Sequence, residues 1–142
     1  MGLLDKLFGT DTHQPALDPT SAGAARIEKS RPVLEAFVKK IHDKMEIVPG
    51  ERAVYIFIGH PPDRFGIAWF EGTEEHNLKR LMADKKLSQQ RINALSEELR
   101  GAYQRCSGEP RYRHMLGGKQ VLVTPSLSLE AELLRIIHRI EG

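Results

Sequence analysis

Apolar residues recur along this chain at two intervals, and the switch between them marks its elements. Leu3, Leu4, Leu7 and Phe8 fall on one side of a short helix. A polar arm with two prolines, Pro15 and Pro19, follows. Leu34, Val38, Ile41 and Met45 then repeat at helical spacing, with Phe37 widening the stripe. Pro32 suits a first turn, so this helix starts near Ser30, after a shorter helical piece around Ile27, and Pro49-Gly50 ends it.

The interval then shortens. Ala53–Ile58 and Phe65–Phe70 are β-branched and aromatic on both faces, which marks buried strands, and His60–Arg64 between them is turn chemistry. With the turn residues outside the ladder, Tyr55 faces Trp69 and Phe57 faces Ile67. On the other side Ile56 faces Ala68 and Ile58 faces Gly66, leaving room there for a helix to approach closely. Thr73 reads as the cap of a helix carrying Leu78, Leu81 and Met82. Ser88 caps another, whose Ile92, Leu95, Leu99, Tyr103 and Cys106 keep helical spacing until Ser107–Pro110 stops it.

Gly117-Gly118 between two alternating runs is a tight hairpin turn, and a two-residue loop fixes the register. Leu116 pairs with Lys119, His114 with Val121 and Tyr112 with Val123. Arg111, Arg113, Met115, Gln120, Leu122 and Thr124 take the opposite, more polar face. Ser126 or Ser128 caps a last helix bearing Leu129, Leu133, Ile136, Ile137 and Ile140. The pattern predicts an α+β fold of order α-ββ-α(α)-ββ-α, with an antiparallel sheet of about four strands, two β-hairpins, packed by amphipathic helices. Residues 1–22 form an amphipathic segment with its arm, and residues 23–142 one domain.

Composition narrows the function classes by exclusion. At 142 residues the chain fits a single domain burying roughly two-thirds of its unfolded surface. A net charge of +2 supplies no bulk attraction for nucleic acid or anionic lipid. One cysteine rules out an internal disulfide, and no apolar run approaches the roughly 20 residues of a membrane span. The start lacks a signal peptide, so the expected location is cytoplasmic.

Candidate chemistry is sparse. The six histidines form no HxH, HxxH or HExxH pairing, and neither a metal site nor a cofactor is expected. No phosphate-binding glycine loop and no nucleophile elbow occur. His60 and Asp63 share a loop at the end of a rigid hairpin, the kind of place where catalytic groups concentrate, and imidazole His114 titrates near neutrality. Together they define a small hydrolytic enzyme as the alternative reading. Cys106 continues a core stripe at a helix C-terminus, where the dipole disfavours thiolate.

Arg111, Arg113 and Lys119 give the one basic cluster with an interleaved aromatic, suited to an anionic ligand, nucleic acid or phosphate. Tyr112 falls on the face opposite the arginines, so the stacking-plus-charge arrangement of a single-strand binder is not assembled. The N-terminal segment is the most suggestive feature. Full burial of Leu3, Leu4, Leu7 and Phe8 is worth roughly 1.5–3 kcal/mol each. Its candidate destinations are its own core, a partner or second copy, and a membrane surface, for which Lys6 alone is too little basic charge. The preferred reading is a small soluble interaction or regulatory module without catalytic activity, with a protein partner or self-association expected.

Overall fold

A computed structural model of the chain describes residues 14–141, and the predicted N-terminal helix of Leu3, Leu4, Leu7 and Phe8 lies outside them. Helix α1 (Ala22–Lys29) opens on Ser21, whose hydroxyl accepts from the Ala24 amide, and Ser30 separates it from α2 (Arg31–Lys40), with Pro32 in its first turn. Both pieces stand where the apolar spacing and the proline put them. Strand β1 (Met45–Pro49) follows, then β2 (Val54–His60) and β3 (Arg64–Glu71). Next come β4 (Glu74–Asn77), α3 (Leu78–Lys85) and α4 (Gln89–Arg105). The hairpin β5 (Tyr112–Leu116) and β6 (Lys119–Val123) precedes α5 (Leu127–Glu141).

Among the described residues the strands form one six-stranded mixed sheet in the order β4-β3-β2-β1-β6-β5. The α+β class stands, but the expected four antiparallel strands become six, and β1 runs parallel to β6. Two strands account for the difference. Met45 keeps helical spacing from Ile41, which made Met45–Pro49 read as the tail of a helix, yet α2 stops at Lys40 and the chain reverses through His42–Lys44 into an extended run. Gly72, at φ +64, and Thr73 close a two-residue turn, so Thr73 caps no helix and Asn77 caps α3 instead, accepting from the Arg80 amide at 2.8 Å.

Within the hairpins the register is as the sequence predicts. Tyr55 faces Trp69, Phe57 faces Ile67, Ile56 faces Ala68 and Ile58 faces Gly66, and the ladder runs on to His60 and Arg64. Tyr112, His114 and Leu116 face Val123, Val121 and Lys119. Gly117 and Gly118 take the positive φ values, +59 and +79, that their turn demands.

Strand alternation sends side chains to two cores. On one face Met45, Ile47, Ile56, Phe70, Val121 and Val123 pack under α1 and α2. On the other, Val48, Tyr55, Phe57, Ile67 and Trp69 pack under α4 and α5. The arm closes the β5 edge: Arg113 N–H donates to the Pro15 carbonyl at 2.8 Å and Leu17 N–H to the Arg113 carbonyl at 2.9 Å, and Leu17 is buried. No helix among the described residues is long and apolar enough to cross a membrane.

Candidate functional site

The opposite edge of the sheet is left open. Among the described residues β4 pairs with Ala68–Glu71 only, so Arg64–Ile67 have β2 on one side and no described strand on the other. An exposed stretch of strand edge is a template for further contacts unless something covers it. Here the chain turns away into α3, whose Leu78, Leu81 and Met82 form the stripe expected from the sequence, yet none of its residues is buried.

Between this helix and the strand edge lies a groove of about 490 Å³. Phe65, Gly66 and Ile67 of the strand edge line it together with Ile58 of β2. Phe37 of α2 and Ile41 just past its end line it on one face of the sheet, Ile92 of α4 on the other, and Leu78 and Met82 of α3 along the side. Its size is typical of ligand and peptide sites, and its lining is mainly apolar. Gly66 contributes directly. The sequence leaves room above it for a close-packed helix, but no atom lies within 4 Å of where a Cβ would stand. The room is part of the groove, whereas Ala68 one rung away is covered. Glu75 and Lys79 sit at the rim and are its charged groups.

A second cluster sits at the turn of the β3–β4 hairpin. Directly opposed pairs and i, i+2 neighbours share a face, so Glu71, Glu74, His76 and Trp69 are brought together. His76 stacks on Trp69 with ring centroids 5.7 Å apart. Its Nε2 lies 2.8 Å from Glu74 Oε1 and 3.1 Å from Glu71 Oε1, without the alignment of a hydrogen bond to either. Among the described residues these three donors are a group close enough to share an ion, all within 4.8 Å of one another. The sequence reading missed them because it took Thr73 as a helix cap. The Gly72-Thr73 turn, which puts Glu71 opposite Glu74, was the available signal.

The residues singled out from sequence are dispersed. His60 is exposed at the end of β2, while His114 lies on β5, three strand steps away or roughly 14 Å laterally. The His60–Asp63 turn is clamped by Arg100 of α4, which donates from Nε to the Pro62 carbonyl at 2.7 Å and from Nη2 to the Asp63 carbonyl at 3.1 Å. His114 is half-buried, its Nε2 unpartnered, and burial together with the Arg31 cation holds its pKa below the ordinary imidazole value. Cys106 is buried, and that burial pushes its thiol up.

The basic cluster is occupied with holding the fold. Lys119 Nζ donates to the Val38 and Ile41 carbonyls at the end of α2, where a cation complements the helix dipole. Arg113 Nε donates to the Gln14 carbonyl at 2.9 Å, tethering the arm. Arg111 turns inward. Its Nε donates to Glu46 Oε2 at 2.9 Å, its Nη1 to the Ser107 and Glu109 carbonyls, and its guanidinium lies over the Tyr103 ring. Glu46, 5% exposed, also accepts from Tyr103 Oη at 2.6 Å and Thr124 Oγ1 at 2.5 Å. Burial and the Glu46 carboxylate push the Tyr103 phenol up to about 12.

Comparison with known proteins gives no match to a family, a curated protein or a solved structure.

Proposed function

We propose that this chain is a non-catalytic protein-interaction module that receives an apolar protein segment in the groove beside β3. One observation carries the reading: a strand edge that no other described residue pairs over Arg64–Ile67 opens onto an apolar groove whose α3 wall buries none of its own residues. Covering Leu78, Met82 and Ile92 removes apolar surface from water at about 25 cal/mol per Å². An entering helix would set its i and i+4 anchors among them. The separation of His114 from the His60–Asp63 turn supports the same reading, because a general base needs its partners within hydrogen-bond reach.

Selection of a displayed random-peptide library on the immobilised full-length chain tests it. The expected outcome is enrichment of amphipathic apolar sequences whose binding is lost on Met82→Glu and on Ile92→Glu, with both variants retaining the wild-type far-ultraviolet dichroism. Enriched peptides indifferent to both substitutions, or no enrichment, would refute the reading.

A further inference from the structure

Resting on that docking reading, we infer that the groove's occupant is the Leu3–Phe8 segment of a second copy of this chain. The segment has the chemistry the groove asks for. Leu3 and Leu7, and Leu4 and Phe8, stand four residues apart, the spacing with which a helix presents one apolar face to a groove. Its two charges, Asp5 and Lys6, have opposite partners at the rim in Lys79 and Glu75.

Chain reach decides between the same copy and another. Ala16 stands opposite Arg113, and the rung continues straight across the sheet through Leu122, Glu46 and Phe57 to Ile67, which lines the groove. That is five strand steps, about 24 Å. Gln14 lies two residues further from the rung, towards the Tyr112 end of β5. From Gln14 back to Phe8 there are six residues, which span about 20 Å even fully extended. The straight line also runs within the sheet, whose faces are covered by α1 and α2 on one side and α4 and α5 on the other, so any real path is longer. Phe8 of a chain therefore falls short of that chain's own groove, which leaves the apolar face of the segment incomplete there, whereas a neighbour's segment can seat whole. Because the arm and the groove occupy opposite edges of one sheet, the contact joins unlike surfaces and builds either an antiparallel pair or a head-to-tail series.

Light scattering and sedimentation on the full-length chain test this, with a doubly substituted tail (Leu4→Asp with Leu7→Asp), a groove variant (Met82→Glu) and their mixture. The expected result is concentration-dependent assembly of the wild type. Each variant alone should show a dissociation constant raised about tenfold or more, with assembly regained on mixing because one variant keeps the groove and the other the tail. A dye-labelled peptide of residues 1–12 should bind the tail variant, whose groove is intact, and that arm does not depend on how well Met82→Glu folds. A monomeric wild type overturns the inference whatever the peptide does. Assembly unchanged in the tail variant overturns it too, while library-selected peptides that still bind leave the docking reading standing. Loss of those peptides as well removes both.

Discussion

Replacing Glu46 should be among the most damaging single substitutions available in this protein, and its cost can be worked from the contacts. The carboxylate is buried on β1 and accepts from three donors: Arg111 Nε, Tyr103 Oη and Thr124 Oγ1. Glu46→Ala strands all three, including a guanidinium whose side chain is 15% exposed. Breaking a buried ion pair by removing one partner costs about 3–5 kcal/mol. Arg111 keeps the Ser107 and Glu109 carbonyls, which places the expected loss near the lower end, about 3 kcal/mol. Glu46→Gln retains the shape but exchanges the charge and one acceptor for a donor, a loss of about 1.5–3 kcal/mol. Glu46→Leu combined with Arg111→Met removes both charges and should recover most of the deficit. Urea unfolding read from Trp69 measures each case. It is the one tryptophan, 2% exposed when folded, so its emission reports its transfer to water. A loss below about 1 kcal/mol for Glu46→Ala would refute the claim that this carboxylate is a desolvated acceptor holding three elements together.

Three further outcomes follow from other sites. His114 has a pKa below its ordinary 6.5, through burial and Arg31 against the opposing Glu28, so protons bind the unfolded chain first. Its contribution to stability is complete above pH 6.5 and is lost as pH falls through the folded-state value, so urea midpoints of wild type and His114→Gln should converge on acidification. Tyr103 has the reverse sign: its neutral phenol is favoured up to about pH 12, and ultraviolet titration should show a late-ionising tyrosine that Tyr103→Phe removes. Leu17→Ala should cost about 2 kcal/mol in urea unfolding, because this buried side chain anchors the arm; no loss would mean that the arm contributes nothing to the core.

The local geometry of this fold was readable from sequence wherever a tight turn carried it. Gly117-Gly118 and the Pro61-Pro62 corner set both hairpin registers, and the stripes of α4 and α5 fell where helical spacing put them, while that of α2 held only as far as Val38. What escaped were strands whose evidence is not local. Glu46 in a buried strand contradicts every compositional expectation until Arg111, Tyr103 and Thr124, all remote in the chain, are beside it. The Glu74–Asn77 strand is wholly polar and was betrayed by Gly72 alone. Parallel pairing of β1 with β6 leaves no turn signature at all. The groove was half legible. Gly66 reads from the sequence as room for a close-packed helix, but periodicity cannot say whether that room is filled, because that depends on where β4 stops and α3 departs.

The middle of the sheet joins the two ends of the chain's synthesis. Strand β1 finds its inner neighbour only when β6 arrives, with Thr124 N–H donating to the Ile47 carbonyl at 2.8 Å, and everything from Gly50 to Gly118 must be made in between. A product terminated near Cys106 would carry Ile47 and Val48 on a bare edge, and a buried carboxylate shorn of Arg111 and Thr124. Such a fragment is poised to recruit strands from other chains. Synthesis therefore has to pass β6 before the β1 edge is closed to the strands of other chains.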